Sequence, residues 1–185
     1  MDIDRLKRLL SELSIDITLY SQLYGPEESV SVLNHFNGLV FGRLQYCLID
    51  RIFIEFAKLM DKEKMCGNEN LSFLYIIKKY DLESDSEISH KHTNIVKIYK
   101  ETNIPNYRNK ELSHNDLQTK LGSTKVDVTI TPKGAHELLN SMFSLVNEIE
   151  YKLGRTTHKV GKSSYISLPR EKDGLSFIAK LAKCV

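Results

Sequence analysis

Apolar residues recur at helical spacing along most of the chain, and the breaks between the runs divide it. Leu6, Leu9, Leu10, Leu13, Ile17, Tyr20 and Tyr24 predict an amphipathic helix over residues 4–24, which Gly25-Pro26 stops. Pro26, Glu27 and Glu28 suit the opening of a second helix, because proline is pre-set for a first turn and carboxylates favour the positive end of the dipole. From 27 to 60, Val30, Leu33, Phe36, Leu39, Val40, Phe41, Leu44, Leu48, Ile49, Ile52, Phe53, Phe56 and Leu59 leave few polar breaks. A helix apolar nearly all round is buried. This stretch therefore reads as the central helix of a bundle, bent near Gly38 and Gly42, with Cys47 packed inside. His35, Arg43, Asp50 and Arg51 are its polar exceptions, and Arg43 and Asp50 are the two able to support a site from behind.

A charged loop over 61–70 follows, with Asn70 as the cap of a short helix over 71–80. Ile88, His92, Ile95 and Tyr99 predict a helix over 87–101, and Pro105 breaks the chain after it. Val126, Val128 and Ile130 alternate with Lys125, Asp127 and Thr129, a period of two that predicts one short extended segment over 124–130. Thr131 then caps, and Pro132 starts, a helix carrying Ala135, Leu138, Leu139, Met142, Val146, Ile149 and Leu153. The pattern is lost after Gly154 until a short helix over 175–183. The expectation is an all-α bundle of five to seven helices over residues 1–153, followed by an arm over 154–185.

Charge sharpens that division. The net charge is +2, yet residues 151–185 hold eight Lys or Arg against two acids, so the basic charge lies in the tail. A basic arm of this kind is a solvated surface or an RNA contact. The 185 residues suit one domain with a real core, and no apolar stretch has membrane length. With no visible signal peptide, the expectation is a cytoplasmic protein without membrane contact. The three cysteines Cys47, Cys66 and Cys184 lack paired spacing, which argues against a disulfide scaffold and a structural zinc.

Other chemistry is excluded by geometry. Gly154 to Ser163 ends in Gly-Lys-Ser but has six residues between its glycines where a phosphate loop needs four, and a helix precedes it instead of a strand. His90 and His92 are two residues apart, so a helix points them to different sides. His136 and His158 show no ligand spacing, and no cofactor or metal is expected.

The stretch that carries chemistry is Ile104-Pro105-Asn106-Tyr107-Arg108-Asn109-Lys110-Glu111-Leu112-Ser113-His114-Asn115-Asp116. Arginine can clamp a phosphate through two hydrogen bonds, and histidine moves protons near neutral pH. Arg108 and His114 together suit phosphodiester cleavage without a metal. Six helical residues leave the two side chains roughly 120° apart and about 9 Å apart along the axis. Either the helix distorts near Asn109, or Arg108 sits on the first turn after Pro105, or a second copy of the chain completes the site.

Tyr107 to Asp116 resembles the Arg-x(4–6)-His signature of the HEPN superfamily, including the polar residue after the arginine. Leu44 to Asp61, with Asn68-Glu69-Asn70-Leu71-Ser72-Phe73-Leu74, is similar to the long helix and turn of its AbiU-like abortive-infection branch. Val126 to Thr131, with Pro132 and the helix after it, also resembles that branch, so the likeness spans roughly residues 30 to 153. The resemblance implies a homodimer in which Arg108 and His114 face a shared cleft and cut RNA without a metal. Arg108 would hold the scissile phosphate, His114 would move the proton, and Asn109 would orient the phosphate, with Lys110, Ser113 and Asp116 in support. Members of the superfamily also act under the control of an antitoxin protein. Others lack the nuclease and bind a nucleotide, RNA or a partner protein.

Overall fold

The computed structural model describes residues 1–112, 126–157 and 167–184. Among these residues the chain forms α1 (Asp2–Tyr24), α2 (Glu27–Leu59), a hairpin of β1 (Lys64–Met65) and β2 (Asn68–Glu69), and α3 (Phe73–Lys79). Then come α4 (Ser86–Glu101), α5 (Ile104–Tyr107), a π-turn (Arg108–Leu112), α6 (Pro132–Lys152) and α7 (Gly174–Leu181). The seven α-helical segments make the all-α bundle that the periodicities predict. None of the described helices is long and apolar enough to cross a membrane.

The core follows from helical repeats that face one another. Ile3, Leu6, Leu10, Leu13 and Ile17 form one stripe of α1, and Leu138, Leu139, Met142, Leu145, Val146 and Ile149 form one stripe of α6. These stripes meet Ile52 and Phe56 of α2, Phe73 and Ile76 of α3, and Ile88, Ile95 and Tyr99 of α4. Thr131 caps α6 as predicted, its hydroxyl accepting from the Gly134 amide at 3.1 Å. Two other caps differ from expectation. Ser72, and not Asn70, caps α3, accepting from the Tyr75 amide at 3.2 Å, while Asn70 Nδ2 donates to the Lys62 carbonyl at 2.9 Å. Pro26 stands outside α2 as its extended N-cap residue. Before it, Gly25 leaves room for the end of α1, since a Cβ there would lie 2.3 Å from the Ser21 carbonyl oxygen.

The long helix α2 bends at Asn37, one residue before Gly38. Asn37 is extended (φ −167°, ψ 87°), and its side-chain oxygen accepts from the Val40 amide at 3.1 Å. The asparagine thus works as an internal N-cap, satisfying a donor that the break sets free. Beyond the bend, the expected all-round burial is not found. Ile52, Phe56, Ala57 and Leu59 are buried, but Leu39, Val40, Leu44 and Tyr46 are exposed, Leu39 by 80% and Tyr46 by 63%, as is Phe36 just before the bend. Cys47 is exposed as well. Although α1, α5 and α7 pack on α2, none of the described residues buries Phe36, Leu39, Val40, Leu44 or Tyr46.

The extended segment lies where the period of two places it, with residues 124 and 125 outside the described residues. Val126, Val128 and Ile130 are half-buried and Asp127 and Thr129 exposed; among the described residues this segment has no strand partner, and the sheet is the hairpin of two-residue strands at 64–69. At the far end of the chain, α7 docks on α1 and α2. Asp173 caps it, the Gly174 amide donates to Gln22 Oε1 at 2.8 Å, and the Phe177 ring lies 6.3 Å from that of Phe41. Gly174 makes this approach possible, because a Cβ would meet Gln22 Cβ at 2.9 Å.

Candidate functional site

The motif enters on a corner that the chain locks from several sides. Asn103 takes a left-handed conformation (φ 61°), which asparagine tolerates better than most residues, and it turns the chain from α4 into α5. Thr102 Oγ donates to the Tyr99 carbonyl at 2.6 Å and accepts from the Ile104 amide at 3.3 Å. The extended segment is stitched to the same corner. Thr129 donates from its amide to the Thr102 carbonyl at 3.2 Å and from its hydroxyl to the Glu101 carbonyl at 3.0 Å, and Asn103 Nδ2 donates to the Asp127 carbonyl at 2.8 Å.

Pro105 lies in the first turn of α5, so Arg108 follows that turn instead of lying in it. The Arg108 amide already donates to the Ile104 carbonyl, so it is not one of the free donors of a first turn. What begins at Arg108 is a π-turn through Leu112, the distortion near Asn109 that the spacing left open. Single π-turns are rare, persist where tertiary contacts hold them, and gather at functional sites.

Two side chains on either side of the Tyr107–Arg108 peptide bind the last turns of α2. The Tyr107 hydroxyl donates to Asp50 Oδ1 at 2.9 Å, and its ring packs edge-on against Phe53 with centroids 5.4 Å apart. Burial, followed by the bond to Asp50, pushes the Tyr107 phenol well above its ordinary value, so it stays a donor through the neutral range. Arg108 Nη2 lies 3.8 Å from Asp61 Oδ2, just past the end of α2, and Arg108 Nη1 donates to Asn109 Oδ1 at 3.0 Å. The Arg108 side chain is 31% exposed and that of Asp61 25%, so the guanidinium is held yet open on one side. Tyr99 completes the surroundings from α4: it is 9% exposed, and burial first, then the Asp61 charge, push its phenol up to about 12, with Arg108 opposing.

Of the residues proposed from sequence, Arg108, Asn109 and Lys110 share the π-turn, with Asn109 exposed and Lys110 half-buried. Ser113, His114 and Asp116 lie outside the described residues. Asp50 does reach the motif, through Tyr107, while Arg43 is exposed on α2. Sequence reasoning missed Asp61 and Tyr99. A signal for Asp61 existed: it follows Asp50 by eleven residues, which at about 100° per residue returns to nearly the same side of a helix. Tyr99 was absorbed into the apolar stripe of α4, where its ring belongs, and its hydroxyl went unassigned.

The all-α bundle is of the kind expected of a HEPN-like protein. The HEPN_AbiU2 family model, described as AbiU2, matches residues 3–165, and the chain belongs to this family. The match includes the motif and every described helix except α7. Comparison with curated proteins and with solved structures gives no match.

Proposed function

We propose that this AbiU2-family protein is a metal-independent RNA endonuclease of the abortive-infection or toxin type, acting as a homodimer with a shared cleft. The observation that carries the reading is Arg108: a half-exposed guanidinium at the start of a π-turn, kept in place by Asn109 and Asp61 and open to an incoming phosphate. In the reaction Arg108 grips the scissile phosphate and its growing negative charge. His114 takes the proton of the ribose 2′-OH or gives one to the leaving oxygen. Asn109 orients the phosphate, and Lys110, Ser113 and Asp116 support it.

The exposed face of α2 supports the dimer. Leu39, Tyr46 and Asp50 are seven and four residues apart and so fall on nearly one line of the helix, which continues to the carboxylate that holds Tyr107. An apolar stripe this exposed marks an association surface. A two-fold pairing of α2 stripes would bring both motifs to one groove.

The test is incubation of the purified chain with diverse RNAs in EDTA at several pH values. Wild type is expected to cut, and Arg108→Ala to cut about 10²–10³-fold more slowly, the usual loss for one donor to a developing oxyanion. Arg108→Lys is also expected to fail, since a point charge does not replace a fork. A second reading, a non-catalytic HEPN module binding a nucleotide, RNA or partner protein, is favoured by the fact that Arg108 already has intramolecular partners. RNA bound but left intact under all conditions would decide for it.

A further inference from the structure

Tyr107 and Arg108 are consecutive, yet the carboxylates they face stand apart, Asp50 on α2 and Asp61 just past its end. Asp61 comes eleven residues after Asp50, so the two carboxylates flank the last turns of the helix. Tyr107 reaches toward the earlier carboxylate and Arg108 toward the later one. The peptide between them opens the π-turn. Such a turn gives poorer backbone hydrogen bonding than an α-helix, so side-chain contacts on its flank decide whether it keeps its winding. On this flank the short contacts are the Tyr107–Asp50 hydrogen bond at 2.9 Å and the Tyr107–Phe53 edge contact, whereas the Arg108–Asp61 pair at 3.8 Å is loose.

We infer that Asp50 and Tyr107 are positioning residues for the proposed cleavage: their hydrogen bond anchors the first residue before the π-turn and thereby aims Arg108 at the scissile phosphate. This rests on the ribonuclease reading above. Neither residue touches RNA. Phe53 holds the ring and Asp50 holds the hydroxyl, so the Tyr107 Cα, and with it the start of the Arg108 side chain, has one position relative to α2. Asp61 leaves the guanidinium free to exchange a carboxylate for a phosphate. The anchor lies on the same line of α2 as Leu39 and Tyr46, so a partner helix pressing there would press on the anchor as well.

The experiment compares wild type with Tyr107→Phe, Asp50→Asn, Asp50→Ala and the double variant Asp50→Ala/Tyr107→Phe. Tyr107→Phe keeps the ring against Phe53 and removes only the hydroxyl. Three quantities are measured: single-turnover cleavage of a labelled RNA, affinity for that RNA, and the rate at which phenylglyoxal modifies Arg108, mapped by peptide mass spectrometry. Tyr107→Phe is expected to keep RNA affinity within about threefold and to lower the single-turnover rate by about 10- to 100-fold, the scale of loss for an ångström of misplacement. It is also expected to change Arg108 reactivity by more than about twofold. Asp50→Asn, which still accepts the bond, is expected to lose less than Asp50→Ala, and the double variant to lose no more than the worse single, as one shared interaction requires. Wild-type cleavage and wild-type Arg108 reactivity in Tyr107→Phe would overturn the proposal, as would additive losses in the double variant. If the wild-type chain cuts no RNA, the ribonuclease reading falls by itself. The anchor is then judged on Arg108 reactivity alone, where an unchanged rate in both Tyr107→Phe and Asp50→Ala refutes it.

Discussion

Leu39→Gln isolates the proposed dimer face from the fold. Leu39 is 80% exposed, so about one-fifth of its side chain is buried in the single chain. Full burial of a leucine stabilises by about 2 kcal/mol, so the substitution costs the monomer only about 0.4 kcal/mol. Glutamine is nearly as good a helix former as leucine, so α2 keeps its shape. If the stripe is buried across a two-fold axis, the remaining four-fifths is lost twice, about 3 kcal/mol or roughly a hundredfold in dissociation constant. Sedimentation velocity across a concentration series measures that constant, and urea unfolding measures the monomer. The reasoning fails if wild type and Leu39→Gln dimerise with constants within threefold of each other. A wild-type chain that stays monomeric at micromolar concentration refutes the shared cleft altogether.

Thr131→Ala removes the hydroxyl that accepts from the Gly134 amide, and it is expected to cost about 1 kcal/mol in urea unfolding, while Thr131→Asp should retain most of the stability. Tyr99 provides a pH signature: its phenol is raised from the ordinary value of 10.0 to about 12 in the fold, so the stability it contributes is whole below about 10 and is lost as pH rises through about 12. Tyr99→Phe should therefore flatten the alkaline limb of the stability curve between those values, and an unchanged limb would show that the phenol titrates as in the unfolded chain.

Much of the fold was legible because helix formation is written in local spacing. The stripes Leu6 to Ile17 and Leu138 to Ile149, the Thr131-Pro132 start and the break at Gly25-Pro26 are each contained within a few turns of chain, and all four stand in the structure. The period of two at 126–130 was equally readable, because alternate burial requires only that one face of an extended segment meet a core. The motif itself was visible as residue types with a spacing, and a distortion near Asn109 was one of three arrangements open to it, since a regular helix turns Arg108 and His114 apart.

Which apolar faces find a neighbour is decided by the other helices, and that was not readable from α2 alone. Phe36, Leu39, Leu44 and Tyr46 have the same character as Ile52 and Phe56, yet only the latter meet the α1 and α6 stripes. The same holds at the site. Asp61 and Tyr99 come to Arg108 from the end of α2 and from α4, and Asp50 reaches the motif through Tyr107 across 57 positions of sequence. Spacing along one helix states which side chains share a face. What that face meets depends on contacts between distant segments, and tertiary packing alone set the pairing of Arg108 with Asp61 and the winding of the turn that carries it.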